Sequence, residues 1–351
     1  MTPDQHFGGH RKTDFMEMTI KTDSEKPINH LYPIFVRTGR SPQKFRAGFM
    51  NGQGNTVIPP AFEDAGDFRD GHAPIQLHQR WGLIDMQGDF LFPCEWAFPT
   101  RFVNGIAVIR DKRGSNPERR GYLRKDGVWI VEPKYILATS FSCGMAQVFD
   151  GRMYGFINEN GEETIPLVFK DARGFSENLA PVKLDEKWGY IDTLGNSVIR
   201  PQFDAAMPFS EGMARVCVNQ KWGFIDRAGE IAISPQFAMV WDMHSGLSAA
   251  NSQERFPMGF INKFGEFVIE PAYEHVRNFQ EGVSCVRPIN QRFTCFINTI
   301  GKLAFAGEFW SAESFYIERA LVKTEKTIAY IDTEGSMVWE APIVDRTVLP
   351  F

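Results

Sequence analysis

Carboxylates that recur at regular intervals are the first residues in this sequence that could do chemistry. They belong to a short motif of Gly, an aromatic or aliphatic residue, Ile, and then Asp or Asn. Asp or Asn fills the fourth position in eight copies: Asp85, Asp192, Asp226, Asp332, Asn51, Asn158, Asn262 and Asn298. Aspartates could hold a metal or move protons, but Asn cannot replace them in either role. Both side chains accept hydrogen bonds in a turn, so we expect this position to cap turns.

A second periodic carboxylate lies in a Phe-x-Glu-Gly/Asn segment. Its copies are Glu177, Glu211 and Glu281. A catalytic site is a singular arrangement, whereas these residues repeat with the rest of the pattern. We therefore expect them to be hydrogen-bond acceptors in turns.

The histidines and cysteines form no familiar site. The sequence has no HExxH, no CxxC, no Gly-x-Ser-x-Gly and no phosphate-binding loop, and Gly52-Gln-Gly54 lacks the third glycine of a dinucleotide fingerprint. The number of cysteines is odd, and a disulfide framework needs an even number, which predicts buried free thiols in a reducing compartment: Cys94, Cys143, Cys217, Cys285 and Cys295. We expect no metal, no cofactor, no catalytic residue and no enzymatic activity. An enzyme whose site is assembled between repeats is the third functional alternative.

A basic segment interrupts the regular spacing and is the candidate partner-binding site. It runs from residue 110 to residue 120 and contains five cations: Arg110, Lys112, Arg113, Arg119 and Arg120. Insertions in repeat arrays fall in loops, often on the binding face. The segment could contact an acidic partner, or it could be a solvated hairpin loop.

Four tryptophans outside the repeat positions form a second candidate group: Trp129, Trp241, Trp310 and Trp339. If exposed, they would indicate a sugar platform or a protein hot spot. Burial in the core is the simpler expectation, because large apolar residues usually fill such positions.

Composition limits the class of protein. The chain has 351 residues, 43% of them hydrophobic, and a net charge of −5, which argues against a protein built to hold nucleic acid. It lacks an apolar N-terminal stretch of the secretory type and any run long enough to span a membrane. We therefore expect a cytoplasmic protein with no membrane span.

The elements that position these residues follow from an internal repeat. Lys187-Trp-Gly-Tyr-Ile-Asp192 returns 34 positions later as Lys221-Trp-Gly-Phe-Ile-Asp226. Nine copies of the motif occur at intervals of 34 to 39 residues. All nine are followed by a second Gly, and eight of them also by an aromatic residue at a fixed position and then by a Gly-x-Ala-x-Val relative. Such periodicity is typical of a repeat architecture.

Each unit is predicted to contain three short antiparallel strands. In one unit, Ala214–Val218 alternates, Asn219-Gln220 offers a tight turn, Trp222–Asp226 is the second strand, and Glu230–Ser234 is the third, ended by Pro235. About a dozen residues then link to the next unit. Such a meander is barely stable alone, so the units are expected to stack around one continuous core.

The fold class is therefore all-β, with about nine units in an open twisted array. A closed propeller-like ring is the alternative; the open array is favoured because both chain ends carry complete units, leaving no blade to share. The predicted domains are an N-terminal tail or cap (1–32), the array (33–340) and a C-terminal tail or cap (341–351).

The Trp-Gly-Phe/Tyr-Ile-Asp core, the Pro-x-Phe/Tyr step and the Phe-Ser-Glu-Gly-x-Ala-x-Val tail resemble the WG (KWG) repeat family of bacterial proteins. This resemblance implies a repetitive β architecture and an interaction role, and it brings no catalytic residues. The function predicted is a non-catalytic module that docks a protein partner, in a narrower version as an immunity protein that inhibits a toxin or effector. Binding of carbohydrate or the cell envelope through repeated aromatics is the alternative.

Overall fold

The computed structural model describes residues 30–37, 45–110, 119–252 and 257–342. Within these ranges all helix or strand structure is β, which confirms the predicted all-β class. The strands form eight antiparallel sheets in which sequence neighbours are also spatial neighbours. The first sheet has three strands, β1 (Leu31–Arg37), β2 (Phe45–Asn51) and β3 (Thr56–Phe62).

Six of the sheets have four strands each, namely a strand of two residues followed by three longer ones. Five of these six follow the first sheet along the chain: β4 (Asp64–Ala65), β5 (His72–Leu77), β6 (Arg80–Asp85) and β7 (Phe90–Trp96); β8 (Phe102–Val103), β9 (Ile106–Arg110), β10 (Arg120–Arg124) and β11 (Trp129–Tyr135); β12 (Leu137–Ala138), β13 (Met145–Phe149), β14 (Tyr154–Asn158) and β15 (Glu163–Phe169); β16 (Asp171–Ala172), β17 (Leu179–Leu184), β18 (Lys187–Asp192) and β19 (Ser197–Phe203); β20 (Ala205–Ala206), β21 (Ala214–Val218), β22 (Lys221–Ile225) and β23 (Ile231–Phe237).

The remaining two sheets hold the last three repeat units. One has six strands, β24 (Met239–Val240), β25 (Leu247–Asn251), β26 (Met258–Asn262), β27 (Phe267–Val276), β28 (Val283–Pro288) and β29 (Cys295–Asn298). The other has β30 (Ser311–Ala312), β31 (Ala320–Lys323), β32 (Thr327–Ile331) and β33 (Met337–Pro342). The six-stranded sheet contains two units, because β27 pairs with β26 in its first part and with β28 in its second. The nine repeat units of the sequence thus form eight sheets.

The three strands predicted for each unit are present, but the link between units is more ordered than predicted. It contains the two-residue strand, as in β20, where Ala205 pairs with Cys217 and Ala206 with Val216 of the following strand. The turn between them, Glu211-Gly212, has both residues at positive φ (53° and 78°), the geometry of a tight hairpin turn. A pair of alanines has little intrinsic strand preference, so the sequence pattern did not reveal this fourth strand.

A close approach of two strands explains the first glycine of the motif. A Cβ added to Gly223 would lie 2.4 Å from the carbonyl oxygen of Ile233 and 2.6 Å from the nitrogen of Pro235. The pairing register shifts at this point, which marks a β-bulge in the third strand. Pro235 lies inside β23 at this bulge, so the prediction that it ends the strand was wrong.

The two units without this glycine have different third strands. In the last unit the regular pairing of Ala329 with Glu340 replaces the bulge, so a side chain fits there. In the eighth unit Cys295 takes the glycine position, and residues 299–310 contain only isolated bridges, Thr294 to Phe309 and Ile297 to Leu303. The eighth unit therefore lacks a regular third strand.

The aromatic positions of the repeat lie between neighbouring units. Phe209 is 2% exposed and its ring centroid lies 5.1 Å from that of Tyr190, which belongs to the preceding sheet. Trp188 and Val216 complete the same cluster from either side. Buried clusters of this kind recur along the chain, which agrees with the predicted continuous core.

Contacts between the first and last sheets close the array into a propeller-like ring. The Tyr330 hydroxyl donates to the Pro33 carbonyl at 3.1 Å, and the Arg319 guanidinium donates to the Gly52 carbonyl. Tyr32, Ile34 and Met50 are buried against Tyr330 and Trp339. The expected open array was therefore wrong, and the ring alternative fits the structure. Complete units at both ends do not prevent closure, because side-chain packing joins them without a shared sheet.

Few residues of the two predicted tails are described. Of the tails predicted at 1–32 and 341–351, only residues 30–32 and 341–342 are described. Residues 31 and 32 belong to β1, and residues 341 and 342 to β33.

Replacing Gly223 with Ala is expected to lower the free energy of unfolding by roughly 1–3 kcal/mol, because the new methyl group overlaps the backbone of the third strand. Thermal and denaturant unfolding would measure this change. Gly174→Ala is the matched control, since an added Cβ there has open space around it among the described residues. Equal stability of the two variants would contradict the assignment of the close approach.

Ring closure predicts a compact particle in solution. A chain of this length folded into one compact body has a radius of gyration of about 20 Å. Small-angle X-ray scattering on the monomer would measure it. A clearly larger value with an elongated pair-distance distribution would mean that the array is open.

Candidate functional site

The hairpin turns of the units lie on two opposite faces of the ring. In the sixth unit, β21 begins after Glu211-Gly212 and ends at Asn219-Gln220, and β22 then returns to the turn that starts at Asp226. The Glu-Gly and Asp-x-x-Gly turns thus share one face, here called the Asp face. The turns between the first and second strands form the opposite face, here called the loop face.

The repeated Asp and Asn residues cap their own turns, as predicted. Asp192 Oδ1 accepts hydrogen bonds from the backbone N–H groups of Leu194 (2.9 Å) and Asn196 (2.8 Å). The Asn196 side-chain amide, together with these backbone groups, lowers the pKa of the Asp192 carboxyl. In the unit with Arg124 at this position, Asp126 Oδ1 accepts from the N–H of Val128 instead. These carboxylates serve the turns.

The periodic glutamates join neighbouring units. The Glu211 carboxylate accepts from the N–H groups of Ser245 (2.6 Å) and Gly246 (2.8 Å), in the corresponding turn of the next unit. Glu177 accepts from Gly212, and Glu281 from Glu318, in the same way. They are acceptors, as predicted, but each accepts from the next unit's turn.

Apolar side chains project from the Asp face over four consecutive units. The third position of the Asp-x-x-Gly turn holds Leu194 (80% exposed), Ala228, Phe264 (70%) and Ile300 (62%). The same position in the other units is polar: Gln53, Gln87, Asp126, Asn160 and Glu334. We call Leu194, Phe264 and Ile300 the apolar arc. The sequence shows which of these turn positions are apolar. The turn motif recurs with the same period in every unit, however, so these turns do not stand out from the others.

Packing between units places the arc residues in succession. The glycine that follows each tip contacts the third strand of the preceding unit. An added Cβ at Gly265 would lie 2.8 Å from Ile233, and one at Gly301 would lie 3.3 Å from Ile269. The turns therefore follow one another along one face.

The described ends of the basic segment predicted to bind a partner, Arg110, Arg119 and Arg120, lie at the loop face, whereas the arc lies on the Asp face. Of its five cations, Lys112 and Arg113 fall outside the described residues. The Arg110 guanidinium lies 4.6 Å from the centroid of the Phe98 ring, and Arg119 donates to the Lys134 carbonyl. Arg120 begins β10 and pairs with Arg110 across the hairpin.

The five cysteines are free thiols, as predicted, but the prediction that they are buried was wrong for three of them: Cys94 and Cys295 are partly buried, and Cys143 is exposed. Cys217 and Cys285 are buried, and burial raises the pKa of the Cys285 thiol to about 11. Cys143 is exposed, and its sulfur accepts from the backbone N–H of Asn178 in the position that glutamate occupies elsewhere. Among the described residues there is no group of His, Cys, Asp and Glu placed to hold a metal. These residues also contain no helix long and apolar enough to cross a bilayer.

A cleft of about 540 Å³ opens beside the eighth unit, where the third strand is missing. Its walls include Trp241, Trp310, Arg277, Arg287 and Thr294. Trp310 is 44% exposed, contrary to the expected burial of the off-pattern tryptophans. Trp339 is 8% exposed, and this one lies in the core as expected.

The fold and its turn chemistry define a β-repeat ring. The family model described as "WG containing repeat" matches seven segments of the chain, at residues 48–80, 81–114, 121–151, 154–188, 188–222, 222–252 and 258–291. The chain belongs to this family, which confirms the resemblance drawn from its motifs.

Comparison with individual proteins gives weaker likenesses. No curated protein matches the chain in sequence. Three solved structures are similar in part: Hsv2p from Kluyveromyces lactis (8% identity, 68% of this chain and 94% of that one, TM-score 0.42), virginiamycin B lyase from Staphylococcus aureus (13%, 60% and 84%, 0.36), and apo AztD from Citrobacter koseri (11%, 90% and 95%, 0.41). At these scores the likenesses carry no inference about this chain.

The thiol environments predict selective reactivity. In the native protein near neutral pH, Ellman's reagent is expected to react first with Cys143, because it is exposed while the buried thiols are protonated and inaccessible. Cys143→Ser should remove the fast phase of the colour change, and Cys285→Ser should leave it in place. A fast phase that survives Cys143→Ser would contradict this assignment.

Proposed function

We propose that this protein is a non-catalytic interaction module that docks a protein partner on the Asp face of its ring. The apolar arc is the observation that carries the proposal. Large apolar side chains stand exposed on the turns of three units at one face, and exposed apolar surface of this kind marks interaction sites. Burying a Leu, Ile or Phe side chain contributes about 1.5–3 kcal/mol, so three tips could supply several kcal/mol of binding energy.

Charges beside the arc indicate the chemistry of the partner. The Lys263 ammonium lies 5.3 Å from the centroid of the Phe264 ring, and Lys302 follows the Ile300 turn. The Arg227 guanidinium, in the turn between Leu194 and Phe264, is already paired with Glu177 at 3.2 Å. A partner with an apolar centre and acidic residues around it would complement this surface.

The narrower form of the proposal is an inhibitor or immunity role, in which the partner is a toxin or effector. Its support is that the periodic carboxylates are engaged in turn capping and in contacts between units, while the turns of successive units offer an extended surface. A stable one-to-one complex with a toxin or effector would be the form of the interaction.

If a partner docks through the arc, substitution of the arc residues should reduce the amount of partner recovered. Full-length protein carrying Leu194→Lys, Phe264→Lys and Ile300→Lys should recover at least ten times less of any stoichiometric partner from host extract than the unmodified protein. The matched control is Gln87→Lys with Asn160→Lys, which places lysines at the same turn position in other units. Melting temperatures would verify that both variants fold.

Three outcomes would count against this proposal. Equal recovery by the arc variant and the control would exclude the arc. Loss of partner in Arg119→Glu with Arg120→Glu, and not in the arc variant, would move the interface to the basic segment on the loop face. Absence of any stoichiometric partner at physiological salt would argue against protein docking altogether.

A further inference from the structure

The cleft beside the eighth unit is formed where the repeat pattern fails. Two tryptophans on its walls break the pattern at their own positions. The position of Trp310 holds smaller or charged residues in the other units: Glu63, Ala97, Ile136, Lys170, Asp204, Ala238 and Glu274. The position of Trp241 likewise holds no second aromatic residue. Two singular aromatics thus meet at one cleft in an otherwise periodic molecule.

The missing third strand explains why the cleft is open. Residues 299–310 of the eighth unit make only isolated bridges, so no regular strand covers this side. Trp310 follows directly, ahead of β30, and its indole stays 44% exposed. An indole with one accessible face offers a flat apolar platform for a ligand.

Two guanidiniums line the cleft, and a glutamate pairs with each of them. The wall contains two guanidiniums and no carboxylate. Glu313 holds Arg277 in a bidentate pair with both N–O distances at 2.8 Å, and Arg287 lies 3.4 Å from Glu274. A guanidinium has five N–H donors, and a bidentate pair uses two of them. Arg277 is therefore fixed in position and retains donors for an anion.

The remaining polar wall groups are the amides of Asn278 and Gln280, the hydroxyls of Thr294, Ser311 and Ser314, and the imidazole of His275. The Cys285 thiol, which also lines the cleft, stays protonated near pH 7, because burial raises its pKa. Neutral groups that both donate and accept suit the hydroxyls of a sugar.

We propose that this cleft binds an anionic saccharide, with a sugar ring against Trp310 and a carboxylate on Arg277 and Arg287. The volume of about 540 Å³ suits a ligand of one or two sugar rings. Arg287 and Trp310 lie at strand ends on the loop face. None of the arc residues lines the cleft, so its occupation does not depend on docking at the arc.

The test is calorimetric titration of the full chain with digalacturonate, its neutral dimethyl ester, and uridine monophosphate. We expect saturable binding of digalacturonate, at least tenfold weaker binding of the ester, and little binding of the nucleotide. Equal binding of acid and ester would overturn the proposal, as would preference for the nucleotide or no binding to any probe.

Two variants test whether the ligand binds in the cleft. Trp310→Ala and Arg287→Gln should each weaken digalacturonate binding at least tenfold while the melting temperature is retained. Phe90→Ala is the control, because Phe90 is also exposed (53%) but lies in the second unit. Unchanged affinity in Trp310→Ala would overturn the site.

Discussion

Every unit of this ring depends on its neighbour to cover its aromatic residues. A three-stranded or four-stranded meander buries too little apolar surface to be stable alone. Phe209 lies between two sheets, in a cluster to which both contribute. The hydrogen bonds that the next turn donates to the Glu211 carboxylate, and the contact of turn glycines with the preceding unit, set the spacing of the sheets. At the junction of the chain ends, an added Cβ on Gly54 would lie 2.6 Å from Val338, so the same kind of contact continues across the closure.

Most of the local structure could be predicted from the sequence, because nine copies of the motif show which residue types occur at each position. The interchange of Asp with Asn at one position indicated that this position caps a turn. The glycine that precedes an aromatic residue indicated the second strand. Closure could not be predicted, because it depends on the rotation between successive units, which no single motif encodes. The short fourth strand was also missed, since it is formed by backbone pairing of residues such as Ala205 and Ala206 with little preference of their own.

The candidate sites are formed by residues that depart from the repeat, whereas the fold is stabilised by residues that follow it. Periodic residues such as Asp192 and Glu211 are engaged in turns and in contacts between units. Residues that depart from the repeat, such as Phe264 in a usually polar turn position and Trp310 beside a lost strand, are the ones left accessible. The sequence contained these departures, but their exposure depends on which side of each sheet its neighbours cover.

The bond from Tyr330 to Pro33 joins residues 297 positions apart, and it has a consequence for biosynthesis. The flank of the first sheet, with Tyr32 and Ile34, cannot be covered until the last unit has left the ribosome. Until then the nascent chain exposes the apolar flank of its first sheet and, at its other end, the apolar flank of the most recently folded unit. Exposed apolar surfaces of this kind favour association with other chains. Premature termination would make that state permanent, so truncated products of this protein should be substrates for chaperones and proteases.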